Sequence, residues 1–411
     1  MKPKVLVATT CRWLPAVRLA LALADAGCKV DAVCPPRHPL TKTKIDGVLH
    51  KYQGLAPVRS FARAIAQSKP DLIIPCDDLA TAHLYACYRR DIRFGEEGNP
   101  SCTLIERSLG SSESFRVVSS RAAFMRLAQE EGIRVPRTEV ISDMEELRRC
   151  TSLLGFPVVL KANGTSGGEG VRVVRTPEEA ERAFHLLQSP PLFARAAKRA
   201  LVNQDLTLIW PAIRRRRFTV NAQTFEPGRD ATSLAACWNG NVLASLHFEV
   251  VNKCTSNGPA SVVRLIENPD MFAAIKRIAK RLNLSGLHGF DFLIGSEMGS
   301  AVLIEINPRA TQVGHLTLGP GRDLPAALVA AITGETIREA PQLTENDTIA
   351  LFPQEWKRNP ESSFLRSGYH DVPWEEPDLV RACVPGRQNV RELYSHRERI
   401  RAFSIVRLPN S

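Results

Sequence analysis

Residues 289–309 read GFDFLIGSEMGSAVLIEINPR. Two apolar runs, 290–294 and 301–306, flank a polar Gly/Ser turn, the pattern of a β-hairpin. An isolated carboxylate among Ile and Phe is unfavourable unless a cation or hydrogen bonds compensate it, so Asp291 and Glu305 need a reason to be there. Side chains alternate along a strand, which puts Glu305 and Asn307 on one face. A turn centred on Met298 leaves Asp291 and Glu305 seven residues to either side, about opposite each other. Two carboxylates and an amide oxygen converging there make a hard-oxygen site suited to Mg²⁺, which also takes oxygens from nucleotide phosphates. For either acid alone, the alternative is a strand-end polar residue beside a turn.

Upstream, the apolar run 156–161 ends in Lys161 and is followed by ANGTSGGEG at 162–170. Gly164, Gly167, Gly168 and Gly170 let backbone N–H groups approach a polyphosphate. Thr165 and Ser166 add hydroxyl donors, and Lys161 adds a positive charge. No Gly-Lys-Ser/Thr precedes a helix, so this is not a P-loop; an ordinary flexible hairpin is the competing reading.

The first hundred residues alternate strands at 5–9, 30–34 and 71–75 with helical faces carrying Leu14, Val17, Leu21 and Ala24, then Val58, Phe61 and Ile65. That βαβαβ rhythm predicts a small parallel sheet, and the missing GxGxxG argues against a dinucleotide site. A second unit begins near Ser119, with helices at 121–131, 144–154 and from Thr176, and short strands at 156–161 and 171–174. Beyond 200 the pattern becomes β-rich, with strands at 200–206, 217–225, 232–237 and 242–250, the last two joined by Asn239-Gly240, a strong hairpin signal. A helix presenting Phe272, Ile275, Ala279 and Leu282, the hairpin quoted above and a helix at 323–333 follow. Residues 340–411 have no clear periodicity.

Taken together, the two constellations resemble the ATP-grasp superfamily over roughly residues 1–335; similar order and spacing occur in biotin carboxylase, carbamoyl phosphate synthetase and D-alanine:D-alanine ligase. The resemblance implies an α/β protein with an N-terminal pre-ATP-grasp, Rossmann-like parallel-sheet domain (1–118). A subdomain with the glycine-rich loop (119–204), an antiparallel-sheet ATP-binding core (205–336) and a C-terminal extension (337–411) would follow. It implies that Arg121 and Lys161 contact nucleotide phosphates, that the loop 164–170 closes over them, and that Gln204, Asp205 and Leu206 form the hinge that reads adenine. Asp291, Glu305 and Asn307 would hold Mg²⁺, with Mn²⁺ as an alternative, while Arg309 steadies the transferred phosphoryl group. One departure stands out: Arg217 occupies the place where many members carry a ribose-gripping acid. The implied activity is ADP-forming ligation of a small-molecule carboxylate to an amine through an acyl phosphate. The alternatives are a bicarbonate-activating, carbamoyl-phosphate-type enzyme or a nucleotide-binding protein without turnover.

Composition narrows the partners. The chain has 411 residues with 44% hydrophobic and 24% charged, which excludes a disordered or fibrous class. A single core stops growing at roughly 250 to 300 residues, so two or three units are expected. The net charge of +11 favours anionic ligands. The densest basic run, 214–217, lacks interleaved aromatics, so small-molecule substrates are expected rather than nucleic acid. Ten cysteines without CxxC pairs suggest free thiols in a reducing cytoplasm. No apolar run reaches the roughly 18 residues that span a bilayer, so no membrane partner is expected; a homodimer remains open. His288 and His315 flank the metal segment, and His247 and Glu249 alternate on a nearby strand; each reads as structural before functional. Cys254 has no base near it in sequence and does not read as a nucleophile. The tail segment around His370 and Asp371 is expected to pack on the core.

Overall fold

The structure, a computed structural model, describes residues 2–94, 99–163, 170–189, 218–256, 258–295, 300–336 and 341–384, together with 386, 392, 393 and 395. The expected hinge residues Gln204, Asp205 and Leu206, the loop residues Gly164, Thr165, Ser166, Gly167 and Gly168, the strand at 200–206 and the arginines 214–217 all lie outside that set.

The N-terminal unit is built from β1 (Lys4–Ala8), α1 (Leu14–Asp25), β2 (Lys29–Cys34), β3 (Leu49–Lys51), α2 (Pro57–Ser68) and β4 (Leu72–Pro75). The strands form one parallel sheet in the order β3-β2-β1-β4. β1 and β4 are nearly continuous buried Val/Ile/Leu runs because helices cover both faces, while β2 carries the buried Asp31 among Val30, Ala32 and Val33. Three helices that the sequence pattern did not reveal follow β4: α3 (Asp78–Phe94), α4 (Pro100–Leu109) and α5 (Ser114–Val118).

A second sheet, antiparallel and ordered β5-β8-β6-β7, comprises β5 (Thr138–Ile141), β6 (Val158–Ala162), β7 (Val171–Val174) and β8 (Val220–Thr224). Three helices belong to this stretch: α6 (Arg121–Glu130), α7 (Met144–Leu154) and α8 (Pro177–Gln188). Asp143 and Thr176 cap α7 and α8 through backbone N–H groups of Glu146 and Glu179, and both helices bury Leu147, Phe184 and Leu187 against this sheet. The expected division after residue 204 needs correction, because β8 hydrogen-bonds to β5 and β6 and so belongs to this sheet rather than to the core.

The largest sheet runs β13-β12-β9-β10-β11-β14-β15. Its strands are β9 (Arg229–Trp238), β10 (Asn241–Lys253), β11 (Ala260–Leu265), β12 (Gly286–Ile294), β13 (Ala301–Asn307), β14 (Thr348–Leu351) and β15 (Tyr369–Asp371). Asn239 and Gly240 both take positive φ, 47° and 78°, as a two-residue hairpin of primed type requires. Helix α9 (Pro269–Leu282) packs Met271, Ile275, Ile278 and Leu282 beneath Phe290, Phe292 and Leu303. Phe272, expected on that face, is instead 40% exposed, because the buried stripe runs one residue earlier, through Met271. The opposite face meets α1 and α10 (Leu324–Thr333). The C-terminal segment joins this sheet directly: β14 pairs with β11 and β15 with β14, interspersed with α11 (Gln354–Arg358), α12 (Phe364–Ser367) and α13 (Pro377–Cys383). Among the described residues no helix is long and apolar enough to cross a membrane.

Candidate functional site

A cavity of about 540 Å³ lies where the C-terminal ends of β1 and β4 meet the large sheet, lined among others by Trp13, Asp78, Arg121, Asp291, Glu305 and Arg309. Its floor is the hairpin β12–β13. Pairing near the turn runs Ile294 with Ala301 and Phe292 with Leu303. The register then shifts, leaving Ile304 without an opposite residue, and Asp291 faces Glu305 while Gly289 faces Asn307. The register expected from a turn centred on Met298 is therefore met at the acids only because of this bulge. Bulges recur where a strand must re-aim a side chain, and here Ile304, Glu305 and Asn307 all line the cavity.

Asp291 is held by donors on both sides. Thr232 Oγ1, across the ladder on β9, donates to Oδ1 at 2.9 Å, and Asn307 Nδ2 donates to Oδ2 at 2.9 Å. Burial, and then the neighbouring Glu305 carboxylate, push the Asp291 carboxyl above its ordinary range despite those bonds. Two carboxylates facing each other in a buried place are a standing demand for positive charge. Arg121, the first residue of α6, meets part of it: its Nη2 donates to Glu305 Oε1 at 2.5 Å. Its Nε and Nη1 are buried without a hydrogen-bond partner among the described residues, which is unfavourable for a guanidinium unless an anion arrives. Lys161, the penultimate residue of β6, is buried, and its amine is pushed down to about 8 by burial first and by Arg121 second, with Glu305, Asp291 and Asp230 opposing. Gly170 opens the return to β7, its carbonyl accepting from Ala162 N at 2.9 Å.

The donor set fits a hard divalent cation: two facing carboxylates, an amide oxygen beside them and no sulfur or imidazole. Among the described residues no third His, Cys, Asp or Glu completes a cluster.

Arg309 is turned differently from the expectation. Its Nε and Nη2 donate to the two Asp78 oxygens at 2.7 and 3.4 Å, Nη2 also reaches Asn307 Oδ1 at 3.3 Å, and Nη1 donates to the Ala310 carbonyl at 3.2 Å. The guanidinium lies 5.8 Å from the Trp13 ring centre. Asp78 and Trp13, with Thr232 and Asn221, are site residues that the sequence reading missed. A usable signal existed for the first two, since both follow the C-terminal ends of parallel strands, where open α/β sheets bind ligands. Asn221 had none: its amide donates to Asn163 Oδ1 at 2.9 Å and to the Lys161 carbonyl at 3.4 Å, a pairing only tertiary structure reveals.

The other tempting residues are structural. His288 is buried with Nε2 against the Ser285 carbonyl at 2.8 Å. His247 lies between Ser233 and Ser245 hydroxyls, pushed down to about 4 by burial. His315 contacts Asp371 at 2.7 Å, away from the cavity lining. Glu249 pairs with Arg229 at 2.7 Å. Burial raises the Cys254 thiol, opposite to what a nucleophile needs.

Residues 120–319 match the family model described as carbamoyl-phosphate synthase L chain, ATP binding domain. The chain is 25% identical over 291 residues to the carbamoyl phosphate synthase large chain of Thermus thermophilus, covering 70% of this chain and 26% of that one. It is 26% identical over 275 residues to the formate-dependent phosphoribosylglycinamide formyltransferase of Corynebacterium efficiens, covering 65% and 60%. Among solved structures, the biotin carboxylase domain of Hydrogenobacter thermophilus 2-oxoglutarate carboxylase, determined with MgADP and bicarbonate, superposes with a TM-score of 0.55 at 17% identity, over 83% of this chain and 71% of that one. The N5-carboxyaminoimidazole synthetase of Staphylococcus aureus with ADP gives 0.57 at 12% identity, over 83% and 80%. The chain thus spans about a quarter of the large chain it matches in Thermus thermophilus.

Proposed function

We propose, from the chain's membership of the ATP-grasp superfamily, that it is an ATP-dependent, ADP-forming ligase joining a small-molecule carboxylate to an amine. The observation that carries this reading is the pair of Arg121 donors left without a partner among the described residues, beside the facing acids Asp291 and Glu305: a buried place for an anion next to a place for a cation. Arg121 and Lys161 bind and orient the nucleotide phosphates. Asp291, Glu305 and Asn307 would hold Mg²⁺ or Mn²⁺, which supplies charge neutralisation and alignment of the phosphates. The glycine segment 164–170 and the residues 204–206 are assigned to covering the phosphates and reading adenine.

In the reaction so read, a carboxylate oxygen of the substrate attacks the γ-phosphorus and ADP leaves. The amine then attacks the acyl carbon, and phosphate departs with the oxygen that made the attack. Phosphoryl transfer asks the protein mainly for positioning and charge stabilisation, which suits a site of cations and acids. Bicarbonate in place of the organic carboxylate is the second reading, favoured by the likeness to the biotin carboxylase domain determined with bicarbonate.

Glu305→Gln tests the core of the proposal. ADP formation is expected to fall by about a hundredfold or more, with ATP binding largely kept; retained turnover would show that the cation site is elsewhere. A coupled ADP-release screen of carboxylic acids, bicarbonate included, against amines separates the two readings. Label from an ¹⁸O-carboxylate should reach the released phosphate.

A further inference from the structure

The two ends of the cavity differ in how their charge is balanced. Near Lys161 the Arg121 guanidinium keeps two buried donors without partners among the described residues, so an anion gains there. Beside Trp13 the cation is already matched. Among the described residues, four of the five N–H donors of Arg309 are engaged, two of them by Asp78, which leaves one on Nη1. The Asp78 side chain is 49% exposed and that of Arg309 15%, so the carboxylate is the more open partner. A further ion pair lining the cavity, Lys253 with Asp230 at 2.6 Å, is also neutralised and also has its carboxylate more open. Helix α3 turns Asp78, Thr81, Ala82 and Tyr85 toward the cavity, the spacing of one helical face, so acid and aromatic ring come from the same surface.

Resting on the ligase reading above, we propose that this end of the cavity takes a zwitterion, an α-amino acid whose carboxylate shares the Arg309 fork and whose ammonium is held by Asp78. A doubly charged phosphate would find no unmatched cation there among the described residues, and an anion alone would displace Asp78 into an uncompensated position. A molecule carrying both charges satisfies both partners and leaves the net charge unchanged. The Trp13 and Tyr85 rings offer apolar surface to its side chain. Asp78 is thus a specificity-determining residue: it rewards the ammonium group and gives nothing to a carboxylate that lacks one.

Calorimetric titration of the full chain, saturated with MgADP, tests this with the twenty common L-amino acids, the des-amino acid matching each one that binds, phosphoethanolamine and bicarbonate. At least one amino acid should bind about tenfold or more tighter than its des-amino partner, since a site built for a polar group rejects the analogue lacking it. Asp78→Asn should erase that preference while MgADP affinity stays unchanged; Asp78→Glu, which keeps the charge, should retain part of it and serves if the asparagine variant does not fold. Preference for phosphoethanolamine or bicarbonate, survival of the preference in Asp78→Asn, or binding by none of the amino acids overturns the zwitterion site. Failure of MgADP itself to bind the wild type would instead overturn the ATP-grasp ligase reading.

Discussion

A lysine binds phosphate only while it carries its proton, and Lys161, pushed down to about 8, gives up that proton close to physiological pH. Nucleotide affinity should therefore decline as the pH rises above about 8, by at most tenfold per unit, because each unit removes tenfold of the charged form. Titration of a fluorescent ATP analogue across that range checks it, and Lys161→Arg, whose charge does not titrate there, should flatten the decline. The sign for stability runs the other way. Between about 8 and the ordinary lysine value the unfolded chain holds the proton and the folded chain does not, so this residue's contribution to stability rises with pH through that window. Lys161, Asp291 and Glu305 were legible in sequence, because a charged residue inside an apolar strand has few uses other than chemistry, and Asn307 because strand alternation puts it on the face of Glu305. Asp78 and Thr232 were not, since an acid at the start of a helix and a threonine in a strand are ordinary.

The hairpin β12–β13 and the segment after it fit together at one tight point. A Cβ built on Gly289 would lie 2.4 Å from Thr311 Cγ2 and 3.3 Å from the Asn307 Cβ. Gly289→Ala should thus push away the stretch that carries Arg309, destabilising the protein by about 1–3 kcal/mol and lowering turnover. The double variant with Thr311→Ser, which removes that methyl, should recover most of both; chemical denaturation and ADP release read the two effects. A capped helix and a short apolar run after the glycine cluster came through the sequence cleanly: α7 spans Met144–Leu154 and β7 spans Val171–Val174, the expected bounds. Helices α3 to α5 did not, because their apolar positions are interrupted by arginines and serines and their burial, α4 against β4 and β12 and α5 against α6, is decided by tertiary contact. The bulge at Ile304 left no mark, as one inserted residue in an apolar run keeps the run apolar.

Across the whole molecule, the C-terminal segment is an integral part of the large sheet, which residues 340–411 could not announce because β14 and β15 are short and contribute four and three residues. It is fastened by a buried charge cluster. Arg18 on α1 donates from Nη2 to Asp371 Oδ1 at 2.5 Å and from Nη1 to the Asp371 carbonyl at 3.1 Å, and His315 Nε2 approaches Oδ2 at 2.7 Å. Despite burial, Arg18 and His315 hold the Asp371 carboxyl below the usual aspartate range. Its stabilisation is therefore present at neutral pH and lost as the pH falls through that lowered value. Asp371→Asn leaves Arg18 buried without its anion and should reduce unfolding free energy by about 3–5 kcal/mol, measured by denaturant titration at neutral pH, with the difference from wild type shrinking in acid.

The same clasp has a consequence in time. Arg18 and Asp371 are 353 positions apart in the chain, and ribosomes add about 5–20 residues per second. The arginine of the first helix must then wait on the order of 20 to 70 s before its carboxylate has been made. During that interval the N-terminal sheet can fold, yet its surface toward the large sheet carries an unmatched charge, and β11 shows a bare edge of the kind that recruits other chains. Crowded synthesis, not the finished molecule, is where this architecture is most vulnerable.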